Sequence, residues 1–164
     1  MGDETMNHIR TALAGTLFLM LASPAAFAQD VTGDAANGER LFNQCSTCHN
    51  VTNAEGDVLA GRPNMRTGPN LYAVSGRTIG SIEDFRYSDG LIALGEMDMV
   101  WDQANFIAYA QDPTGFIREA SGNNRLRGAM AFRARSEQDA ADLYAYLRSL
   151  APVEEEAGEA AQEG

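Results

Sequence analysis

The sequence predicts an all-α domain whose helices are joined by long loops. Apolar residues recur at three- and four-residue spacing in several segments. No alternating run of apolar and polar residues is long enough for a strand of useful length. Glycine and proline are frequent between the helical segments, which marks those stretches as loops. The chain has 164 residues, 45% of them hydrophobic, which is enough for one domain with a core.

The two ends of the chain are predicted to lie outside this domain. Residues 1–28 have the order of a secretory signal: a polar start ending in Arg10, an apolar run, and the small-residue cleavage site Ala26-Phe27-Ala28. The apolar run is shorter than the roughly 20 residues of a membrane span. Residues 153–164 hold five glutamates with no arginine or aromatic residue, so a disordered acidic tail is expected. The folded domain is therefore 29–152.

The predicted elements of the domain follow from the spacing of apolar residues and from the residues that cap or end helices. In chain order the elements are a helix over Asp34–Cys45, a loop-rich stretch over Asn50–Pro69, short helices over Asn70–Val74 and Asp89–Leu94, a helix over Asp102–Gln111, a polar stretch over Phe116–Leu126 that is irregular at its end, and the strongest helix over Ser136–Leu150. Asp34, Asp102 and Ser136 are expected to cap their helices, and Pro113 is expected to end the one before it. Loops this long in so small a domain need something inside to organise them.

The charge balance excludes several classes of function. All 12 basic residues are arginine, and with 23 acidic residues the net charge is −11. Nucleic-acid binding is not expected, because phosphates require clustered positive charge. Two cysteines are too few for a disulfide-dense miniprotein. Two histidines, one of them near the start of the chain, exclude most all-protein zinc sites.

Cys45-Ser46-Thr47-Cys48-His49 is the motif that carries chemistry. The C-x-x-C-H pattern is the attachment site of c-type haem. Two thiols one helical turn apart add to the two vinyl groups on one edge of a porphyrin, and the following histidine is then held under the iron. A redox dithiol is less consistent with the sequence, since no βαβ pattern surrounds the motif. The motif therefore predicts one haem c, attached covalently through Cys45 and Cys48.

The second axial ligand remains open on residue spacing alone. His49 is the only histidine after the predicted cleavage, so two-histidine ligation within one chain is excluded. A methionine, an open position or a weaker ligand remains. The methionines of the domain are Met65, Met97, Met99 and Met130. Met130 is favoured, because the opposite face of the ring is best reached by a distant segment that wraps around it. For any one of the four, simple core packing is the alternative.

Beyond the motif, the chain resembles the class I cytochromes c, in particular the larger soluble alphaproteobacterial type (cytochrome c2-like). The resemblance covers Gly33 to Leu150. In chain order the matching pieces are Gly38-Glu39-Arg40-Leu41-Phe42, Cys45 to His49, Arg66-Thr67-Gly68-Pro69-Asn70-Leu71, Gly76-Arg77, Phe85-Arg86-Tyr87, Trp101, Tyr109, Met130-Ala131-Phe132 and Leu143-Tyr144-Ala145-Tyr146-Leu147. The fold it implies is helices and long loops wrapped around one covalently bound haem.

The resemblance also implies roles around the iron. Cys45 and Cys48 hold the haem, and His49 is the first iron ligand. The carbonyl of Pro69 is expected to accept from the other ring nitrogen of His49, which fixes its tautomer. Met130 is expected to be the second iron ligand, with Tyr109 hydrogen-bonded near its sulfur.

Further roles follow for the propionate and for the helix crossing. Arg77, Tyr87 and Trp101 are expected to surround a haem propionate. A crossing of the first and last helices is expected at Gly38, Phe42 and Tyr146. Without the resemblance, Trp101 and Tyr109 read as ordinary core aromatics.

Two features depart from the family pattern. The position two residues before the ligand methionine, often threonine in the family, is Gly128. The family's lysines around the haem edge are missing, since the chain has no lysine. The arginines that would replace them are Arg40, Arg62, Arg66, Arg125, Arg127, Arg133 and Arg135. Two interpretations stay open: an equivalent basic face, or scattered solvated charges with local salt bridges.

The function implied by the resemblance is that of a soluble periplasmic one-electron carrier, not an enzyme and without a small-molecule substrate. As a monomer it would dock transiently and electrostatically on membrane redox complexes. The donor would be a cytochrome bc complex or a dehydrogenase. The acceptor would be a terminal oxidase, a peroxidase or a photosynthetic reaction centre. Two alternatives are an open or labile iron site that binds peroxide or nitric oxide, and a dedicated subunit of a periplasmic dehydrogenase.

Overall fold

A computed structural model describes residues 31–151. The predicted signal segment 1–28 and the predicted tail 153–164 lie outside the described residues. Five α-helices occur between residues 31 and 151: α1 (Ala35–Phe42), α2 (Asp89–Gly95), α3 (Gln103–Gln111), α4 (Pro113–Ser121) and α5 (Glu137–Leu150). A 3₁₀ turn covers Cys45–Thr47, and two short strands, β1 (Asn50–Thr52) and β2 (Val58–Gly61), pair antiparallel. The predicted all-α class is confirmed, with this small sheet added.

The helix starts lie where the sequence predicts side-chain caps. Asp34 accepts hydrogen bonds from the backbone N–H groups of Ala36 and Asn37 at the start of α1. Each such cap satisfies backbone donors that have no partner within the helix. Asp102 accepts from the N–H of Asn105 (2.7 Å), and Ser136 accepts from the N–H of Asp139 (3.0 Å). The predicted caps of α1, α3 and α5 are confirmed.

One prediction about the loops is wrong, and a second is incomplete. The stretch Asn50–Pro69 contains the β1–β2 hairpin, whose strands of three and four residues are too short to show alternation, and β2 is mostly exposed on both faces. Asn70–Val74 forms turns, not a helix, because Ala73 adopts a left-handed backbone with φ +51°.

The stretch Phe116–Leu126 is irregular at its end, as predicted, since α4 stops at Ser121. Its first part is helical, because Pro113 both ends α3 and opens α4. Asp112 caps the new helix by accepting from the N–H of Gly115 (3.1 Å). Proline suits the first helical position, where its missing N–H costs nothing.

The first and last helices cross in direct backbone contact. A Cβ at Gly38 would collide with the carbonyl oxygen of Asp142 and lie 2.7 Å from Cβ of Tyr146. The rings of Phe42 and Tyr146 pack with centroids 5.6 Å apart. The expected crossing at Gly38, Phe42 and Tyr146 is therefore present, and it holds α1 against α5 at one end of the core.

A buried carboxylate fastens the same crossing. Asp142 is 2% exposed and accepts three hydrogen bonds of 2.7 Å, from the N–H of Asp34, the amide of Asn37 and the amide of Gln138. Its pKa is lowered, chiefly by the Asn37 bond and further by the bonds from Asp34 and Gln138, against the opposing effect of burial. The core continues from this crossing through α2, α3 and α4. Among residues 31–151 no helix is long and apolar enough to cross a membrane.

Candidate functional site

The Cys45–His49 motif occupies a tight turn directly after α1. The N–H groups of Cys48 and His49 both donate to the carbonyl of Cys45, at 3.0 and 2.9 Å. This turn places the two free, half-buried thiols one turn apart on the same segment. Burial, with a smaller effect from Cys48, raises the pKa of Cys45 to about 11. Before haem attachment Cys45 is therefore a neutral thiol at physiological pH.

The imidazole of His49 is fixed by one hydrogen bond. Its Nδ1 lies 2.8 Å from the carbonyl oxygen of Pro69. A carbonyl only accepts, so Nδ1 carries the proton and Nε2 keeps its lone pair. Burial lowers the pKa of His49, and the Pro69 bond partly opposes that shift. The structure thus holds a neutral imidazole with Nε2 available for a metal.

Gly68 is a site residue to which the sequence analysis assigned no role. Its N–H donates to the carbonyl of Cys48 (2.8 Å), which brings the loop against the motif. A Cβ at Gly68 would collide with the imidazole of His49. The adjacent Gly-Pro pair therefore has two functions: the glycine admits the ring and the proline binds it. A glycine next to the proline was the available signal, but only the close approach in three dimensions gives it meaning.

Arg77, Tyr87 and Trp101 lie close together, as the family resemblance implies, although all three are far from the Cys45–His49 motif in sequence. The N–H of Trp101 donates to the carbonyl of Arg77 (2.9 Å). The Arg77 guanidinium donates to the carbonyls of Tyr72 (2.8 Å) and Asn70 (3.1 Å). Burial lowers the pKa of Arg77 and raises that of Tyr87, and each group's proximity to the other opposes its shift. The cluster is a half-buried cation beside a phenol.

Tyr109 joins this cluster through Trp101. The two rings pack edge to face with centroids 5.0 Å apart. Burial, and secondarily Tyr87, raises the pKa of Tyr109 to about 12, so its hydroxyl stays protonated and able to donate. On the other side, the hydroxyl of Tyr144 donates to the carbonyl of Trp101 (3.2 Å) and bonds to Ser75 (2.7 Å). Tyr144 thereby ties the cluster to α5.

The four candidate methionines occupy different places. Met97 is 53% exposed, and Met65 lies in the loop that leads to Gly68 and Pro69. Met99 and Met130 are both partly buried against the main core. Met130 belongs to a segment that is fastened at both ends. The N–H of Gly128 donates to Thr114 (3.3 Å) at the start of α4, and the N–H of Ala134 donates to Ala110 (2.8 Å) at the end of α3.

Comparison with known proteins decides the family. The family model for cytochrome c matches residues 35–151. Cytochrome c2 of Rhodovulum adriaticum is 52% identical over 126 residues, which cover 77% of this chain and 99% of the relative. Cytochrome c-550 of Paracoccus denitrificans is 40% identical over 149 residues, covering 89% and 91%. The chain belongs to the cytochrome c family.

Solved structures agree with this assignment. The crystal structure of cytochrome c2 from Rhodobacter sphaeroides superposes with a TM-score of 0.71 at 43% identity, covering 73% of this chain and 98% of that one. Ferric cytochrome c-550 from Paracoccus versutus gives 0.68 at 40% identity, covering 74% and 100%. This cytochrome is a c2-like electron carrier, and it carries one covalent haem c at its Cys45 and Cys48 attachment motif.

The donor set of the site fits a haem. Two thiols and one neutral imidazole lie on a single turn. The hydroxyl of Ser88, directly after Tyr87, is buried and has no hydrogen-bond partner within residues 31–151. Arg77 likewise has no carboxylate partner there. A half-buried cation without a carboxylate partner and a buried hydroxyl without a partner are each compatible with an anionic acceptor such as a haem propionate. Ser88 was missed from the sequence, where a serine before a helix reads only as a cap.

Proposed function

We propose that this cytochrome is an exported periplasmic one-electron carrier whose haem iron is held between His49 and Met130. The observation that carries the proposal is the 2.8 Å hydrogen bond from His49 to the Pro69 carbonyl. It presents a neutral Nε2, and the C-x-x-C-H turn sets where the porphyrin attaches. When bound, the haem supplies a ferrous–ferric couple that takes up and releases one electron.

The position of its segment supports Met130 as the second ligand. The segment between Gly128 and Ala134 spans the adjoining ends of α3 and α4. Ala110, to which it is bonded, directly follows Tyr109, whose protonated hydroxyl is the expected donor to the methionine sulfur. Met65 belongs to the same loop as Pro69, on the side from which His49 approaches. Met97 faces solvent.

The surroundings of the site support a carrier, not an enzyme. Trp101 packs against Phe106, Tyr109 and Phe116, and the side chains of Trp101 and Tyr109 are buried. A thioether ligand and a dry pocket both favour the ferrous state and raise the potential. Two protein ligands fix the iron coordination, so little rearrangement accompanies electron transfer. No substrate is turned over in this scheme.

Docking is proposed to use arginines around Met130. Residues 120–136 hold Arg125, Arg127, Arg133 and Arg135 and no acidic residue. Arg133 pairs with Asp112 at 2.8 Å, a half-exposed pair that is strongly screened by solvent. The other three are exposed and form no ion pair within residues 31–151. Their local positive charge would steer transient encounters with acidic partners despite the negative net charge.

Export and partners are proposed on the sequence pattern and the family. The order of residues 1–28 is typical of a secretory signal. The proposed donor is a cytochrome bc complex or a dehydrogenase, and the proposed acceptor is a terminal oxidase, a peroxidase or a photosynthetic reaction centre. A monomer suits brief contact with two partners in turn.

The ligand assignment is tested by replacing methionines one at a time. Met130→Ala is expected to remove the far-red absorption band of ferric iron bound to methionine sulfur and to lower the reduction potential. Met65→Ala is the matched control and is expected to keep both. The assignment is wrong if Met130→Ala keeps the band, or if Met65→Ala is the variant that loses it.

A further inference from the structure

A cavity lies between the β1–β2 hairpin and the loop that carries Gly68 and Pro69. It has a volume of about 550 Å³ and is lined by three segments: the β1–β2 hairpin, the loop over residues 63–70 and the stretch 82–86. Its lining combines apolar side chains such as Met65 and Phe85 with several polar groups. Apart from Asn70, whose carbonyl accepts a hydrogen bond from Arg77, these polar groups have no role in the haem site described above.

Two of the polar side chains form no hydrogen bond within residues 31–151, and the Thr52 hydroxyl is in addition shielded from solvent. Asn50 is 8% exposed; its backbone is satisfied by the sheet and by Leu71, but its side-chain amide forms no hydrogen bond within residues 31–151. The hydroxyl of Thr52, two residues along the same strand, is shielded from solvent and also has no partner there. The backbone of Thr52 is fully engaged with Asn70, so only the hydroxyl is left over. Buried polar groups without partners are costly, which favours a polar ligand that satisfies them.

Two cations border the same cavity from opposite segments. Arg66 comes from the loop and Arg86 from the 82–86 stretch, and both are exposed. Neither forms an ion pair or side-chain hydrogen bond within the described part of the chain. A guanidinium presents donors that match phosphate oxygens, so two of them across a cavity suit a doubly charged anion.

Asp84 also lines the cavity and narrows the choice of anion. A carboxylate repels an anion that only accepts hydrogen bonds, such as sulfate. It accepts a hydrogen bond from an anion that keeps a proton, such as hydrogen phosphate. We infer that this cavity is a phosphate site, with Arg66 and Arg86 neutralising the anion, the Asn50 amide and Thr52 hydroxyl completing its hydrogen bonds, and Asp84 selecting the protonated form.

Titration calorimetry of the reduced holoprotein with inorganic phosphate, at constant ionic strength set by chloride, tests this site. Saturable one-to-one binding is expected, with weaker binding of sulfate. Arg66→Gln and Arg86→Gln should each weaken phosphate binding roughly tenfold, because each removes a charge-assisted contact. Arg62→Gln is the matched control: Arg62 is on the same loop and exposed, but it does not line the cavity. Its affinity for phosphate should stay unchanged.

Two more variants separate this site from general charge attraction. Asp84→Asn should strengthen sulfate binding more than phosphate binding and so reduce the preference. Thr52→Val should weaken phosphate binding while raising stability without phosphate, because it removes an orphaned hydroxyl. The inference is overturned by the lack of saturable binding at millimolar phosphate, by equal weakening in Arg62→Gln, or by loss of binding in Asp84→Asn. Circular dichroism checks that each variant is folded.

Discussion

Replacing the buried Asp142 by asparagine should loosen the α1–α5 crossing and remove a specific pH dependence. The carboxylate accepts three hydrogen bonds of 2.7 Å. In Asp142→Asn the new amide nitrogen replaces one acceptor oxygen and faces an N–H donor, so at least one hydrogen bond is lost. The remaining bonds are made to a neutral oxygen and are weaker. Bonds to a charged group contribute about 1.5–3 kcal/mol and neutral ones about 0.5–1.5. Losing one charged hydrogen bond and weakening the other two, with a discount because the partners are partly exposed, lowers the free energy of unfolding by about 2–4 kcal/mol at pH 7.

The sign of the pH dependence follows from the direction of the pKa shift. The folded-state pKa of Asp142 is lowered, so its stabilisation is complete above the unfolded-state pKa of about 4. It is lost as the pH falls through the lower folded-state pKa. The difference in stability between the wild type and Asp142→Asn should therefore shrink below about pH 4.

Urea unfolding followed by far-ultraviolet circular dichroism measures this difference at each pH. Asp139→Asn is the control, because Asp139 lies in the first turn of the same helix and its side chain has no hydrogen bond within residues 31–151. Removing the charge of Asp139 should lower the free energy of unfolding by no more than the roughly 0.3–1 kcal/mol of a helix-dipole interaction. A difference for Asp142→Asn that stays constant from pH 7 to pH 3, or one no larger than the control's, would refute the reasoning.

Three other changes test separate parts of the structure. Gly68→Ala should push the imidazole of His49 aside and cost about 1–3 kcal/mol, as overpacking does; an unchanged Soret spectrum and melting temperature would contradict this. Gly38→Ala should destabilise the fold by separating α1 from α5; calorimetry showing wild-type stability would mean that the close contact is absent. Arg127→Gln should slow electron transfer to an acidic partner and flatten its salt dependence; stopped-flow rates that match Arg40→Gln, an exposed arginine on α1, would argue against a local docking face.

Much of the fold could be predicted from the sequence because its signals are local. Asp34, Asp102 and Ser136 precede helical spacing and act through bonds within one turn, so their caps needed no tertiary information. Pro113 shows the limit of such signals. It ends one helix and starts the next, and the sequence alone does not distinguish a terminator from a first helical residue. Asn70–Val74 is similar, since a left-handed alanine is set by the surrounding loop and not by its own preference.

The candidate site also contains some features that local sequence patterns predict and others that depend on tertiary contacts. The C-x-x-C-H motif fixes its chemistry through spacing alone, and the family resemblance led to Pro69, Arg77, Tyr87, Trp101 and Tyr109, which the structure brings near one another or near His49. The roles of Gly68 and Ser88 depend on what lies against them in three dimensions. The phosphate cavity joins Asn50, Arg66 and Arg86 from three separate segments, and no local pattern connects them.

The most direct test is the visible spectrum of the exported protein, purified from a host that installs haem c, in both oxidation states and after the pyridine assay for thioether-linked haem. The structure predicts one haem per chain, bound through two thioethers, with a six-coordinate spectrum in both states and the far-red methionine band in the ferric form. A folded but colourless protein, or a haem that acid–acetone extracts, would contradict it.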